Sequence, residues 1–248
     1  MKPRRIEILD VPVDCVDMPG VLRRLDDILD EGGRESVIAV NPEKVVRAHR
    51  DKRLLATLIG GGLLIPDGIG IVVAARILGL GPISRVAGAD LMPALCEHAA
   101  RRGRKVFLYG ARPEVNRRVA GILPARYPGL HLVGSAHGFL KEDEMPALVN
   151  QINASGAEIL FVALGSPRQE QWIGEYLPLL GVKICQGVGG TFDILAGNVR
   201  RAPLLFRKLN IEWLYRLLAQ PSRLFRQSAL PIFAWAVLKK WFGGSGTL

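Results

Sequence analysis

The feature that most constrains this chain is a regular alternation. Short runs rich in Val, Ile, Leu and Phe recur between longer amphipathic stretches. The short runs are SVIAV (36–40), LLIP (63–66), KVFLYG (105–110), LHLVGSA (130–136), EILFVALG (158–165) and VKICQGVG (182–189). Helix-like segments fill 18–31, 42–59, 69–79, 88–102, 113–126, 141–154 and 167–178. Strands that alternate with helices imply crossover connections, hence parallel βαβ units and a sheet covered on both faces. The predicted class is α/β, a Rossmann-like and mainly parallel sheet. The opening MKPRRIEILDVPVD alternates polar and apolar residues, so it reads as a first strand and lacks the continuous apolar core of a signal peptide.

The alternation stops after Arg201. The remainder of the chain is helical in composition, broken at Pro221 and Pro231, with Trp213, Trp235 and Trp241 among Leu, Phe, Arg and Lys. The expected division is an α/β catalytic domain over 1–200 and a basic amphipathic helical appendage over 201–248. One core suffices for a chain of 248 residues. The appendage holds eight Lys and Arg against one acid, Glu212, so most of the net charge of +10 is concentrated there. A basic segment attracts phosphates, whether of lipid, nucleic acid or substrate. Aromatic and aliphatic residues interleaved with arginines suit a membrane interface better than a stacking sheet or a groove-reading helix, which argues against nucleic acid. The competing reading is a helix docked on the parent domain. No apolar run reaches about 18 residues, so no spanning helix is expected.

Cys15, Cys96 and Cys185 are far apart and odd in number, which predicts neither a disulfide framework nor a metal cluster and fits a reducing cytoplasm. Four histidines without ligand spacing, and the absence of Asp-x-Asp, likewise predict no metal centre.

Several strand-like runs end in Gly or Pro and pass at once into a helix start. LYGARPEV places Pro113 in a first turn, and VALGSPRQEQWI offers Ser166 as a cap before Pro167. Such turns gather at the carboxyl edge of an α/β sheet, where open folds bind ligands against helix N-termini. In LLIPDGIGIV, Asp67 admits two roles: a helix cap after Pro66, or a general base facing a ligand. An oxygen spent on the cap is a poorer base. The Gly68 and Gly70 pair is a weak dinucleotide signature, because the third glycine position holds Val73. GVGGTFDILAGNVRRAP is more specific: Gly187, Gly189 and Gly190 allow close backbone approach to a ligand, with Asp193 just beyond. Arg85, Gln169 and Asn41 are, taken singly, ordinary loop or cap residues.

Taken in order, NPEKVVRA, IPDGIGIV, RVAGADL, VFLYGARPEV, YPGLHLVGSAHGF, ILFVALGSPRQEQWI, GVGGTFDILAGNVRRAP and IEWLYRLLAQPSRLFR resemble one family, the WecG/TagA/CpsF glycosyltransferases of bacterial cell-surface polysaccharide synthesis. The resemblance implies transfer of a sugar, commonly N-acetylmannosamine, from a UDP donor to a polyprenyl-diphosphate-linked sugar, with inversion and without a metal or other cofactor. It implies Asp67 as general base with Arg85, Gln169 and Asn41 beside it. It places UDP near Gly110, Gly187, Gly189, Gly190 and Asp193. It also implies that Arg216, Arg223 and Arg226 of the appendage meet the acceptor diphosphate or the leaving UDP. The implied location is the inner face of the cytoplasmic membrane, peripherally bound, and a homo-oligomer is compatible with it. One departure is Ala39, where family members often carry Thr. It leaves the donor open, so UDP-glucose or another UDP-hexose is the first alternative and a non-catalytic nucleotide-sugar or membrane-binding module the second.

Overall fold

Along each central strand, successive side chains enter different hydrophobic clusters. In the computed structural model, which describes residues 3–208, 212–219 and 228–244, Leu63, Ile65, Val106, Leu108, Ile159, Phe161 and Ile184 join one cluster. Their neighbours Ile38, Val40 and Leu64 join a second, and Phe107, Tyr109, Leu160, Val162 and Cys185 a third. This strict period of two, with no polar face left over, is what a parallel sheet covered on both sides requires.

Among the described residues the main sheet has six parallel strands: β3 (Glu35–Val40), β4 (Leu63–Pro66), β5 (Lys105–Gly110), β6 (His131–Ala136), β7 (Ile159–Ala163) and β8 (Ile184–Gly187), in the order β4-β3-β8-β7-β5-β6. The α/β class is borne out. On one face lie α1 (Met18–Glu31), α5 (Gly88–Arg102), α6 (Pro113–Arg126) and α9 (Thr191–Leu195). On the other lie α2 (Pro42–Arg50), α3 (Lys52–Ile59), α4 (Ile69–Ile77), α7 (Met145–Ala154) and α8 (Arg168–Tyr176). The chain builds β3 and β4 outward in one direction, then crosses to β5 and β6, and fills the gap last with β7 and β8. Every strand therefore ends on the same edge, and β8 brings the glycine-rich turn to its middle.

Three expectations are corrected. The opening segment is not a strand of the main sheet but a separate antiparallel hairpin, β1 (Arg5–Ile8) with β2 (Val11–Asp14). Its turn uses Leu9 and Asp10 at positive φ, 48° and 58°. The hairpin is tied to the β4 edge by buried Asp14, whose carboxylate accepts the Arg5 guanidinium and, at 2.7 Å, the Leu64 N–H. Next, the segment 42–59 is two helices, because the Asp51 side chain accepts from Arg53 N and Leu54 N and so caps a new helix. Finally, Ser166 is not a cap: Pro167 holds that position and no side chain caps α8. Pro113 does open α6, after Arg112.

Beyond 201, α10 (Leu204–Lys208) and α11 (Glu212–Ala219) are followed by the helix Ala229–Trp241. That last helix buries Ala229, Phe233, Ala236 and Val237 with residues of the hairpin, α2 and α4. Its other side leaves Trp235 70 % and Trp241 57 % exposed, and Phe242 beyond it 77 % exposed, next to Lys239 and Lys240. Among the described residues no helix is long and apolar enough to cross a membrane. The cysteines are free thiols; burial pushes Cys96 up to about 12 and Cys185 higher still.

Candidate active site

The two strands at one end of the sheet release their chains side by side. Val40 pairs with Pro66, and the ladder continues one step further as Asp67 N–H donates to Val40 O at 2.8 Å. Asn41 and Asp67 are therefore neighbours on the carboxyl edge. Asn41 caps α2: its Oδ1 accepts Lys44 N–H at 2.8 Å, ahead of Pro42. Asp67 does not occupy the equivalent position of α4. That place belongs to Gly68, at φ 90°, a conformation that a side chain would strain. Of the two roles open to Asp67, the N-cap of α4 is thus taken by its neighbour, and the half-buried carboxylate sits at the end of β4.

The loop from α4 to α5 closes over this pair. Val86 N–H donates to Pro66 O at 2.8 Å, which brings the backbone at Arg85 close to that at Asp67. The start of α5 is equally near. A Cβ on Gly88 would lie 3.9 Å from Asp67 Oδ2 and 3.2 Å from the Ala39 Cβ, so Ala39, where family members often carry Thr, faces the same small space. Arg85 reaches into the appendage, where its guanidinium stands 3.4 Å from the Glu212 carboxylate of α11. Arg201 makes a second tie, to Asp90 in the first turn of α5. The segment after 200 is therefore anchored over this edge by two ion pairs. The Arg216 side chain, and Arg223 and Arg226 entirely, lie outside the described residues.

Gln169 stands on the far side of β3 from Asp67, and it is buried. Its Nε2 donates to Glu170 Oε1 at 2.8 Å and its Oε1 accepts Gly189 N–H at 2.9 Å, so both ends of the amide are engaged inside the protein. Glu170 is also paired with Lys44, at 2.7 Å, and Lys44 donates in addition to Ala39 O at 2.6 Å. Burial alone would raise the Glu170 pKa. The Lys44 charge and hydrogen bonds from Lys44, Gln169 and Ser166 more than offset it and hold the carboxyl below its usual range. Neither Lys44 nor Glu170 stands out in the sequence, since both occupy first turns of helices where charged residues are usually solvated. Helical period offers no signal for them either, since the neighbours of Lys44 at three and four positions include Asn41 and Arg47 and those of Glu170 include Ser166.

The three glycines after β8 differ. Gly187 is packed so tightly that a Cβ would lie 2.8 Å from Gln169 Nε2. Gly189 has φ 53° and donates to Gln169. Gly190 faces open space. Gly110, at φ 117°, lets β5 pass β7 closely, since a Cβ there would stand 2.5 Å from Ala163 O.

A cavity of about 530 Å³ opens beyond Gly110, bounded by Ala111 and Arg112 before α6, Phe139 after β6, Arg168 on α8, and Asp193 and Asn198 opposite them. It has the size of a small-molecule site. Asp193 is the one predicted residue that lines it. Asp67, Asn41, Arg85 and Gln169 do not, and three strand spacings, about 14 Å, separate the ends of β4 and β7. A groove of about 880 Å³ between α3 and α8 includes Arg34 and Ser36 at the amino end of β3, away from these residues. Among the described residues no three His, Cys, Asp or Glu side chains gather as a metal cage.

Comparison with known proteins gives the same direction. The model of the glycosyl transferase WecG/TagA/CpsF family matches residues 6–246. An N-acetylglucosaminyldiphosphoundecaprenol N-acetyl-beta-D-mannosaminyltransferase of Bacillus spizizenii is 36 % identical over 211 residues, 85 % of this chain and 81 % of that protein. The protein of the same name in Bacillus subtilis is 35 % identical over 204 residues, 82 % of this chain and 79 % of its own. With the match running from the hairpin into the last helix, the chain belongs to the WecG/TagA/CpsF family of glycosyl transferases.

Proposed function

We propose that this protein moves N-acetylmannosamine from UDP to a hydroxyl of a polyprenyl-diphosphate-linked N-acetylglucosamine, with inversion and with Asp67 as general base. The observation that carries the assignment is the position of Asp67: a half-buried carboxylate at the carboxyl end of β4, next to Asn41 and near the Arg85 loop, with Gly68 in the N-cap position. The acceptor and the sugar come from the names of the two relatives. The donor nucleotide occupies the cavity at Asp193 and extends along the strand ends, and its sugar reaches toward Asp67. A carboxylate behind the attacking oxygen removes the proton as the bond to the anomeric carbon forms, and UDP departs. Cationic side chains and helix N-termini meet the charge of the leaving diphosphate, and no metal is required. Arg216, Arg223 and Arg226 supply part of that charge on the strength of the resemblance alone.

The acceptor is anchored in a membrane, so the edge must reach the lipid surface. The helix Ala229–Trp241 supports this: its outward Trp235 and Trp241, followed by Phe242 and flanked by Lys239 and Lys240, suit an interface of acyl chains and anionic headgroups at the inner face of the cytoplasmic membrane.

The test offers a panel of UDP-sugars with a short-chain polyprenyl-diphosphate N-acetylglucosamine and reads released UDP and product, with and without a chelator. N-acetylmannosamine should be preferred and the chelator without effect. Asp67→Asn should lower kcat by about 10²–10⁴-fold in a protein that remains folded. Near wild-type turnover in that variant would remove Asp67 from the role of base. One observation favours a second reading, transfer of glucose or another hexose: Ala39, beside Gly88 and the Asp67 carboxylate, presents a methyl group where family members often place a hydroxyl. Preference for such a donor in the panel would establish it.

A further inference from the structure

Beneath the candidate site a charged pair is sealed from solvent: the Glu170 side chain is fully buried and that of Lys44 is 5 % exposed. Buried ion pairs contribute little net stability, because desolvation offsets most of their attraction, and apolar pairs of similar volume often serve equally well. What distinguishes this pair is where its remaining hydrogen bonds go. Lys44 holds the Ala39 carbonyl near the end of β3, two residues before Asn41. Glu170 accepts from Gln169 Nε2, which fixes the amide with its oxygen toward Gly189 N–H. The Gly187 Cα packs against the same amide, and no side chain could be added there without moving it. A continuous run of hydrogen bonds thus joins the end of β3, the first turns of α2 and α8, and the turn after β8. Two of the residues expected near the UDP, Gly187 and Gly189, meet there with Gln169, a residue expected beside the base.

We propose that Lys44 and Glu170 are positioning residues that orient the Gln169 amide and thereby hold the 187–190 turn in the shape that binds the donor's nucleotide. This rests on the assignment of a UDP-sugar donor above. Gln169 acts here through Gly189 rather than by offering its amide to the ligand. With one Nε2 hydrogen and the oxygen already committed, rotating the amide to face a substrate would break both bonds. A purely structural pair would leave ligand affinity alone once the fold is intact; a positioning pair would not.

The experiment compares wild type with two variants. Lys44→Met/Glu170→Leu removes both charges together, and Gln169→Leu leaves the ion pair in place but cuts its link to Gly189. UDP affinity is measured by calorimetry, KM for donor and acceptor separately in the transfer assay, melting temperature by calorimetric scan, and exchange of the Gly189 amide hydrogen by NMR. In both variants the UDP Kd and the donor KM should rise by about tenfold or more, with acceptor KM within about twofold of wild type. Gly189 amide exchange should accelerate in both, while the protein remains folded. A folded variant of either kind with wild-type UDP Kd, or a Gly189 amide equally protected in the double variant, would overturn the proposal. Should the double variant not fold, Gln169→Leu decides it by the same two readouts. Wild-type protein that does not bind UDP would count instead against the nucleotide assignment, and Gly189 exchange would then decide the linkage alone.

Discussion

Replacing Gly187 by alanine separates the two reasons a glycine can be needed after β8. Its backbone is not among the positive-φ glycines, so the substitution introduces no dihedral strain. The added methyl group would instead stand 2.8 Å from Gln169 Nε2, 3.2 Å from its Cδ and 3.5 Å from its Cγ. The end of a flexible side chain could ordinarily yield. This one is pinned by Glu170 and Gly189 N, so yielding breaks two buried hydrogen bonds. At about 1 kcal/mol for each bond, and with overpacking alone typically costing about 1–3 kcal/mol, the expected loss is about 2–3 kcal/mol. For a chain of this length that lowers the melting temperature by about 4–12 °C. Gly190→Ala is the control, since a Cβ there meets nothing within 4 Å and its φ is −78°. Its melting temperature should stay within about 1–2 °C of wild type, as surface substitutions usually do. Thermal scans of the three proteins decide the matter. Equal melting temperatures for Gly187→Ala and wild type would show that Gln169 moves freely, and the rigid-amide account would fail. If UDP lies against the open face of Gly190, that variant should lose affinity without losing stability, which calorimetric titration reads directly.

Acid stability and lipid binding give two further predictions. Because the Glu170 carboxyl is held below its ordinary value of 4.5, the stability it contributes is complete above that pH and lost as the pH falls through the folded-state value; Lys44→Met/Glu170→Leu should therefore melt near wild type at neutral pH and decline less steeply below pH 4.5, and parallel acid profiles would refute the assignment. Trp235→Ala/Trp241→Ala changes side chains that are largely outside the core, so melting should be little altered while sedimentation with anionic vesicles weakens; binding as strong as wild type would place lipid contact elsewhere.

Much of the sheet was legible because its strands are apolar on both faces and its helices carry clear stops. The run 63–66 and the helices at 18–31, 88–102 and 113–126 agree with the structure residue for residue, and Gly32 and Gly103, both left-handed, mark two of those helix ends. The opening hairpin was not legible, since its turn places Leu9 and Asp10 at positive φ where sequence patterns look for Asn or Gly. The division at Asp51 was hidden for a related reason: a capping aspartate inside a helical period looks like any polar surface residue until its oxygen is seen on Arg53 N and Leu54 N. Longer in reach are the ion pairs of Lys44 with Glu170 and of Arg85 with Glu212, which join residues 126 and 127 positions apart. No periodicity of two or 3.6 carries information over that distance.

Those two pairs change how the predicted site residues should be understood. Read one at a time, Asp67, Asn41, Arg85 and Gln169 invite a single list of groups facing a substrate. The structure divides them by the structural work their polar atoms do. Asn41 caps a helix, Gln169 holds a turn, and Arg85 reaches the appendage, so each ties one segment to another through a bond that a ligand would have to displace or leave undisturbed. The cap position beside Asp67 is filled by a glycine that has no side chain to compete for the α4 N-terminus. A base can share its oxygens with neighbouring groups and still take a proton from an arriving hydroxyl, whereas a positioning residue cannot give up its partner without moving the backbone it holds. If Asp67 is the base proposed above, turnover should be far more sensitive to its replacement than to any variant of Asn41, Arg85 or Gln169 that still folds.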